Sequence, residues 1–289
     1  MKKRVFSGIR PTGKLHLGNY LGAVKNWLKL QDKYDCIYAV VDYHGITTPF
    51  DPQKIQKNIL NVVLDYLALG LNPKKCSLII QSHIPEHLEL AWILGSVTST
   101  AKLQHLPTFK EKIKLHPEYV NLGMLSYPVL MAADILIYKS NFVPVGKDQL
   151  PHIEFSREIA RKFNGTFGKV FPEPKALLTR GARIMSLTDP QQKMSKSLGS
   201  QSYIALADSL KVIEAKITKA VTDVGPRKGA KMSPGTANLF TLMQEFSDSK
   251  TLSHFKTEYK KGAIRYSEMK KALAEDIAKT LGPFRKKRA

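Results

Sequence analysis

Through the first two-thirds of the chain, short apolar blocks alternate with amphipathic stretches, the pattern of βα units and a mostly parallel sheet. Residues 5–9, 36–41, 77–81 and 142–145 read as buried strands. Between them, 18–32, 52–69, 86–97 and 124–139 read as helices, with Asp51 before Pro52 supplying a helix start. After about residue 206 the strand-like runs stop, and 208–222, 236–246, 251–259 and 267–281 carry helical periodicity instead. The expected fold is α/β: a doubly wound parallel sheet over residues 1–206, then a smaller helical domain over 207–289. Neither internal repeats nor low-complexity segments interrupt this plan.

Charge adds a partner to the picture. Lys and Arg number 45 against 24 Asp and Glu in 289 residues, a formal net charge of +21. Such an excess suits a polyanion, because each phosphate neutralised releases counterions. Residues 210–289 hold 18 of the cations against 8 acids, and GPRKGAKMSPG and the terminal RKKRA are the most basic stretches. Both suit phosphate contacts that position a nucleic acid rather than read its sequence. The two cysteines, Cys36 and Cys76, lie far apart in sequence without CxxC spacing, so neither a zinc ribbon nor a disulfide scaffold is expected and a reducing compartment fits. The opening MKKRVFSGIRPTG turns to Gly and Pro after two apolar residues, and no apolar run approaches about 18 residues. The expectation is a cytoplasmic protein with neither a signal peptide nor a membrane span.

Two segments carry candidate chemistry. In FSGIRPTGKLHLGNY a strand ends, Gly8 and Gly13 allow a tight reversal, and a helix begins near Leu17 and Gly18. The backbone N–H groups of such a helix start, with the dipole behind them, favour a phosphate, and His16 and Asn19 add side-chain donors. About 175 residues later, KMSKS places Lys193 and Lys196 with two serines in a short polar loop that reads as a mobile anion clamp. A third segment, SYPVLMAADILIY, puts Tyr127, Met131 and Asp134 on one helix face. A carboxylate among Ala132, Ala133, Ile135 and Leu136 is costly to bury unless something donates to it.

HLGN early and KMSKS late together resemble the signatures of class I aminoacyl-tRNA synthetases. Between them, FSGIRPTG, VVDYHGIT, FKEK, SYPVLMAADILIY, VPVGKDQ and HIEFSREIARKFN resemble tryptophanyl-tRNA synthetases in order and spacing. The resemblance implies a Rossmann-like catalytic domain and a two-step reaction. L-Tryptophan is activated with ATP to an adenylate, with Mg2+ bridging the phosphates, and is then transferred to tRNA(Trp). It implies His16, Asn19, Lys193 and Lys196 as the catalytic groups. Arg10, Pro11, Thr12, Gly18 and Asn19 would line the nucleotide site together with Ser195 and Ser197, Gly146, Lys147 and Asp148 would meet the ribose, and Ile184 and Met194 the adenine. Tyr127 and Gln149 would hold the substrate ammonium, and Asp134 would accept the indole N–H. Phe6, Gly8, Met131, Val143 and Val145 would wall the indole pocket, with His44 at its border. A homodimer is implied as well, and no resident metal.

Arg10 departs from the family pattern, which has an uncharged polar residue such as Gln there, and the helical region after 207 is shorter than in many bacterial members. A tyrosine-specific enzyme shares fold and signatures but needs polar partners for a phenol; a non-catalytic paralogue is expected to lose signature residues.

Overall fold

The computed structural model describes residues 2–178, 181–223, 225 and 231–289. Five parallel strands form one sheet: β1 (Arg4–Ile9), β2 (Asp35–Val40), β3 (Cys76–Ile80), β4 (Phe142–Val145) and β5 (Lys175–Leu178), in the order β3-β2-β1-β4-β5. In chain order the α-helices are α1 (Leu17–Asn19), α2 (Lys25–Leu30), α3 (Asp42–Gly45), α4 (Ile55–Leu69), α5 (Glu86–Ser96), α6 (Thr100–His105) and α7 (Pro107–Leu115). They continue with α8 (Leu122–Leu136), α9 (Leu150–Phe167), α10 (Leu210–Thr218), α11 (Pro234–Phe246), α12 (Ser249–Lys261) and α13 (Tyr266–Arg288).

Packing divides the chain into two compact units, residues 1–13 with 23–180, and residues 14–22 with 181–289. This differs from the sequence division at 206/207. The segment after 181 joins the helices that follow it: the Asn238 side chain bonds both the N–H and the C=O of Met185 at 2.9 Å, and the Val221 N–H reaches the Leu187 C=O at 2.9 Å.

In the first unit the period-2 alternation of strand side chains separates two cores. Phe6, Ile37, Ala39, Val143 and Val145 face Ile135 of α8 and Ile153 of α9. Tyr38 points the other way and stacks on the fully buried Trp27 of α2, 4.6 Å between centroids, with Tyr66 of α4 at its edge. Helices therefore cover both faces, as the doubly wound reading expects. Arg10, α3, Gln81 and Gly146 follow β1, β2, β3 and β4 directly, at the carboxyl ends where open parallel sheets bind ligands.

Several local expectations change. Gly8 lies inside β1, opposite Ala39, rather than in a turn; a Cβ there would meet Val41 Cγ1 at 2.8 Å. Gly13, at φ 112°, is the residue that turns the chain. The stretch read as one helix over 18–32 contains a π-helical turn, Tyr20–Val24, between α1 and α2. α4 begins at Ile55, because the Asp51 carboxylate is already engaged with the Gln53 N–H and the Lys54 ammonium in a separate turn. Cys36 and Cys76, distant in sequence, are register partners on β2 and β3; both are buried free thiols.

In the second unit, residues 181–209 are largely irregular, with two antiparallel bridges, His16 with Ala205 and Met185 with Lys193, and α10 to α13 follow. Ser209, Ser233 and Asp248 cap α10, α11 and α12 through their side-chain oxygens. Ile213 and Ile217 of α10, Leu242 of α11 and Met269, Leu273 and Ile277 of α13 are buried, and α13 packs on both other helices.

Candidate active-site residues

In the second unit, Leu15–Leu17 is held extended by residues 204–206, through Leu206 N–H to Leu15 C=O at 2.9 Å and Leu17 N–H to Ile204 C=O at 3.0 Å. That pairing delivers His16 to the start of α1. Its Nδ1 accepts from the Gly18 N–H at 3.1 Å, while the Asn19 side chain accepts from the His16 N–H at 3.1 Å, a reciprocal capping box. A Cβ on Gly18 would sit 3.0 Å from the imidazole, a tight contact that would press on the ring. With Nδ1 an acceptor, the ring proton is on Nε2, which is left as a donor. Burial, with the Lys196 and Lys193 ammoniums adding to it, lowers the His16 pKa to about 3, so the ring is neutral near pH 7.

This corrects one expectation. The amides of Leu17, Gly18 and Asn19 bond to Ile204, His16 Nδ1 and the His16 C=O, so the first turn does not present them to a phosphate. The side-chain groups gathered here are His16 Nε2–H and the two lysines whose charges His16 senses. The KMSKS segment is also more structured than a mobile clamp. Met194 is buried and its N–H meets the Ile184 C=O at 3.0 Å; Ser195 caps a 3-10 turn over Lys196–Leu198 with Ser197 2.8 Å away; and the Ser202 hydroxyl donates to the Ser195 C=O. Ile184, expected at the adenine, is also buried.

In the first unit, Asp134 of α8 is the centre of a buried polar cluster. His44 Nε2 lies 2.8 Å from Oδ2, while the Gln81 amide and His87 Nδ1 each reach Oδ1 at 2.7 Å. His87 Nε2 meets the Tyr138 hydroxyl at 2.7 Å, and Gln81 Oε1 accepts from the Tyr43 N–H, tying the cluster to the start of α3. Burial alone would raise the carboxyl pKa; the bonds from His44 and His87 outweigh it and hold Asp134 ionised. The protein itself therefore satisfies the buried acceptor, and a substrate donor is not required for that purpose. A carboxylate has about four acceptor positions, and the protein fills two on Oδ1 and one on Oδ2, so acceptor capacity remains on Oδ2.

Tyr127, two turns before Asp134, places its hydroxyl 2.6 Å from Thr108 Oγ1 and 3.3 Å from His152 Nε2, with its ring T-shaped to that of His44. Lys112 Nζ stands 3.3 Å from the Tyr127 ring centroid. Burial, with the Arg10 charge second, lowers the Lys112 pKa to about 7. After β1, the Thr12 N–H bonds the Arg10 C=O at 2.9 Å, and Pro11 packs against Gly45. After β4, a Cβ on Gly146 would lie 2.5 Å from Asp148 Oδ1; Lys147 and Asp148 are exposed, and the Gln149 amide donates to Asp148 Oδ2 at 3.1 Å.

The structure thus brings His16, Gly18, Asn19, Met194 and the charges of Lys193 and Lys196 together in one unit, and His44, Tyr127 and Asp134 in the other. Phe6, Val143 and Val145 share one apolar cluster with Met131 packed against it. Tyr127 bonds Thr108 and His152, and the Gln149 amide bonds Asp148. Gln81, His87, Thr108, Lys112 and His152 were not singled out from the sequence, although Lys112 sits in the FKEK segment that carried part of the resemblance. In the basic tail, Arg285 donates to the Asp208 and Ala278 carbonyls at 3.2 and 2.7 Å, so it belongs to the fold of α13. Residues 226–230 of the GPRKGAK loop lie outside the described residues. Among those described, no group of three His, Cys, Asp or Glu side chains is arranged to hold a metal ion, and no helix is long and apolar enough to cross a membrane.

The family model of the class I tRNA synthetases (W and Y) matches residues 1–282, and the chain belongs to that family. It is 43% identical over 288 residues to a Tryptophan--tRNA ligase of Clostridium tetani, covering 99% of this chain and 84% of the relative. A Tryptophan--tRNA ligase of Helicobacter pylori is 43% identical over 289 residues, at 99% and 88% coverage. Among solved structures, tryptophanyl-tRNA synthetase from Campylobacter jejuni, complexed with ADP and tryptophan, superposes with a TM-score of 0.84 at 34% identity, covering 99% of this chain and 88% of that one. Tyrosyl-tRNA synthetase from Archaeoglobus fulgidus, at 20% identity and a TM-score of 0.77, shares the fold.

Proposed function

We propose that the chain is a tryptophan–tRNA ligase. A carboxylate oxygen of L-tryptophan attacks the α-phosphorus of ATP, forming the acyl-phosphate bond of tryptophanyl-adenylate as the α–β bridge breaks and pyrophosphate leaves. A terminal ribose hydroxyl of tRNA(Trp) then attacks the acyl carbon, and AMP departs. The observation that carries this reading is the neutral His16, an Nε2–H donor set beside two lysines, in a chain 43% identical to Tryptophan--tRNA ligases.

No protein nucleophile is needed; the work is positioning and stabilisation of charge on phosphate oxygens. In this reading Lys193 and Lys196 hold the triphosphate, and His16 donates to a phosphate oxygen without itself carrying charge. Asn19 keeps the His16 backbone in register for that donation. Mg2+ carried by ATP would supply charge neutralisation further to that of Lys193 and Lys196. Arg10, Pro11 and Thr12, with Gly146, Lys147 and Asp148, take the nucleotide and ribose, and Ile184 and Met194 border the adenine. Asp134 Oδ2 accepts the indole N–H, Phe6, Gly8, Met131, Val143 and Val145 wall the ring, and Tyr127 and Gln149 face the amino-acid end. Residues 207–289 serve the anticodon side of the tRNA, and two buried free thiols fit a cytoplasmic setting.

A homodimer is part of the reading. α4 presents Leu60, Leu64 and Leu67 to solvent in one stripe, and α5 presents Leu88, Ile93 and Trp92, which is 86% exposed. An apolar display of this kind is what a two-fold interface would cover. Pyrophosphate exchange tests the central claim: it should require tryptophan and ATP. Exchange driven by tyrosine, or none with tryptophan, would overturn it.

A further inference from the structure

The amino ends of the parallel strands carry a feature that the reaction does not use. Lys2 and Lys3 precede β1 and Arg4 opens it; Lys75 precedes β3, Lys139 precedes β4, and Lys175 opens β5. The Lys2 ammonium donates to the Asp32 C=O at 3.2 Å while Lys75 pairs with the Asp32 carboxylate at 2.7 Å, bringing those two together. Lys3 stands 5.5 Å over the Phe142 ring, and Phe142 is the register partner of Lys175. Arg4, Lys139 and Lys2 line one cavity of about 530 Å³ with Lys3, Asp35 and Asn141. Six cations thus lie along one end of the sheet, of which Arg4 is paired with Asp35 at 2.8 Å and Lys75 with Asp32.

Lys139 sharpens the point. Its φ of 50° is the single positive value at a non-glycine among the described residues, and it follows α8 where a glycine or asparagine would end the helix with less strain. A lysine kept in that conformation puts a further ammonium at the mouth of the cavity.

We propose that this basic end of the first unit is a phosphate-binding surface for the backbone of the tRNA substrate, separate from the residues that activate the amino acid. Within this unit those residues follow the carboxyl ends of the strands, whereas the cations sit at the amino ends. Charge complementarity selects the partner: closely spaced ammoniums on exposed stems, with few acids among them, match a regular array of phosphates and carry no sequence reading. The proposal rests on the tRNA-ligase reading, and tryptophan-dependent pyrophosphate exchange, which needs no tRNA, keeps the two separable.

The test reverses Lys2, Lys3 and Lys139 to Glu in the full-length chain. A control variant reverses Lys114, Lys162 and Lys169, exposed lysines elsewhere on the same unit. A Gln triple serves if the Glu triple fails to fold. The salt dependence of tRNA binding should lose roughly two to three units of slope, about one per lost phosphate contact. KM for tRNA should rise at least tenfold while kcat and pyrophosphate exchange hold, and the control should change little. An unchanged slope, or an equal loss in the control, overturns the proposal. So does a loss confined to binding of anionic phospholipid vesicles with tRNA binding intact. Absent exchange in the wild type would instead remove the ligase reading itself.

Discussion

At the scale of the residue, Asp134 shows how a buried charge is made safe and still useful. Three protein donors hold it ionised, so Asp134→Ala would strand His44, His87 and Gln81 without an acceptor and mix a folding defect with a binding one. The informative variable is the substrate. An analogue with carbon in place of the indole nitrogen should be activated less well than tryptophan, by roughly 10- to 100-fold in kcat/KM, the worth of one hydrogen bond to the acceptor position left on Oδ2. Equal activation would make Asp134 purely structural. His16 and His152 lead to a second expectation. Burial is the first cause in both, with lysine charge second, and their folded pKa values fall to about 3 and about 4. Both lie below the unfolded value near 6.5, so the unfolded chain binds more protons as pH falls through that window. Stability should therefore decline from about pH 6.5 downward. Melting temperature followed from pH 7.5 to 4 checks this, and His16→Gln should flatten part of the decline.

Among elements, the buried Lys216–Asp208 pair, 2.7 Å apart, matters beyond its own two charges. Asp208 also accepts from the Ala205 N–H at 3.0 Å, its C=O accepts from Arg285, and Lys216 stands 4.9 Å over the Tyr203 ring, which neighbours His16. The pair therefore braces the 204–206 segment that holds Leu15–Leu17 extended. Asp208→Ala should cost about 3–5 kcal/mol in urea unfolding, since it leaves a buried ammonium without its carboxylate. Loss within 0.5 kcal/mol would show the brace to be idle. Deletions probing the basic tail should begin at Lys286, because Arg285 is engaged with the fold.

These elements also show what can be read from a sequence. Blocks such as VFSGI and CIYAV announce themselves as strands because a strand buried on both faces must be apolar at nearly every position. β5, KALL, has only four residues with exposed ends, and nothing local separates it from a loop. HLGN and KMSKS are legible as motifs, and Asp134 as an anomaly on an apolar helix. Its partners are not: Gln81 and His87 come from the end of β3 and from α5, 53 and 47 residues away, and only the folded sheet brings them to the same carboxylate. Of the first-turn amides, that of Leu17 misleads for a related reason, since its engagement by Ile204 is a long-range pairing, while those of Gly18 and Asn19 are taken locally by His16.

For the whole molecule, the homodimer proposed on the exposed leucines of α4 and the Trp92 face of α5 predicts a mass in solution of about twice 32.4 kDa. Light scattering at micromolar concentration checks this, and Trp92→Asp with Leu64→Asp should shift the population toward the single-chain mass. A wild-type monomer that forms adenylate would refute it.

The register pairing of Cys36 with Cys76 has a practical consequence at this scale. Both thiols are buried, 0% and 6% exposed, and burial raises their pKa values, that of Cys76 to about 11. Alkylating reagents attack the thiolate, so neither position is reactive at neutral pH while the chain is folded. The native sequence is in effect blank to maleimide dyes. A single cysteine introduced on the surface should take one fluorophore cleanly, opening the chain to distance measurements by energy transfer without first removing its own sulfurs.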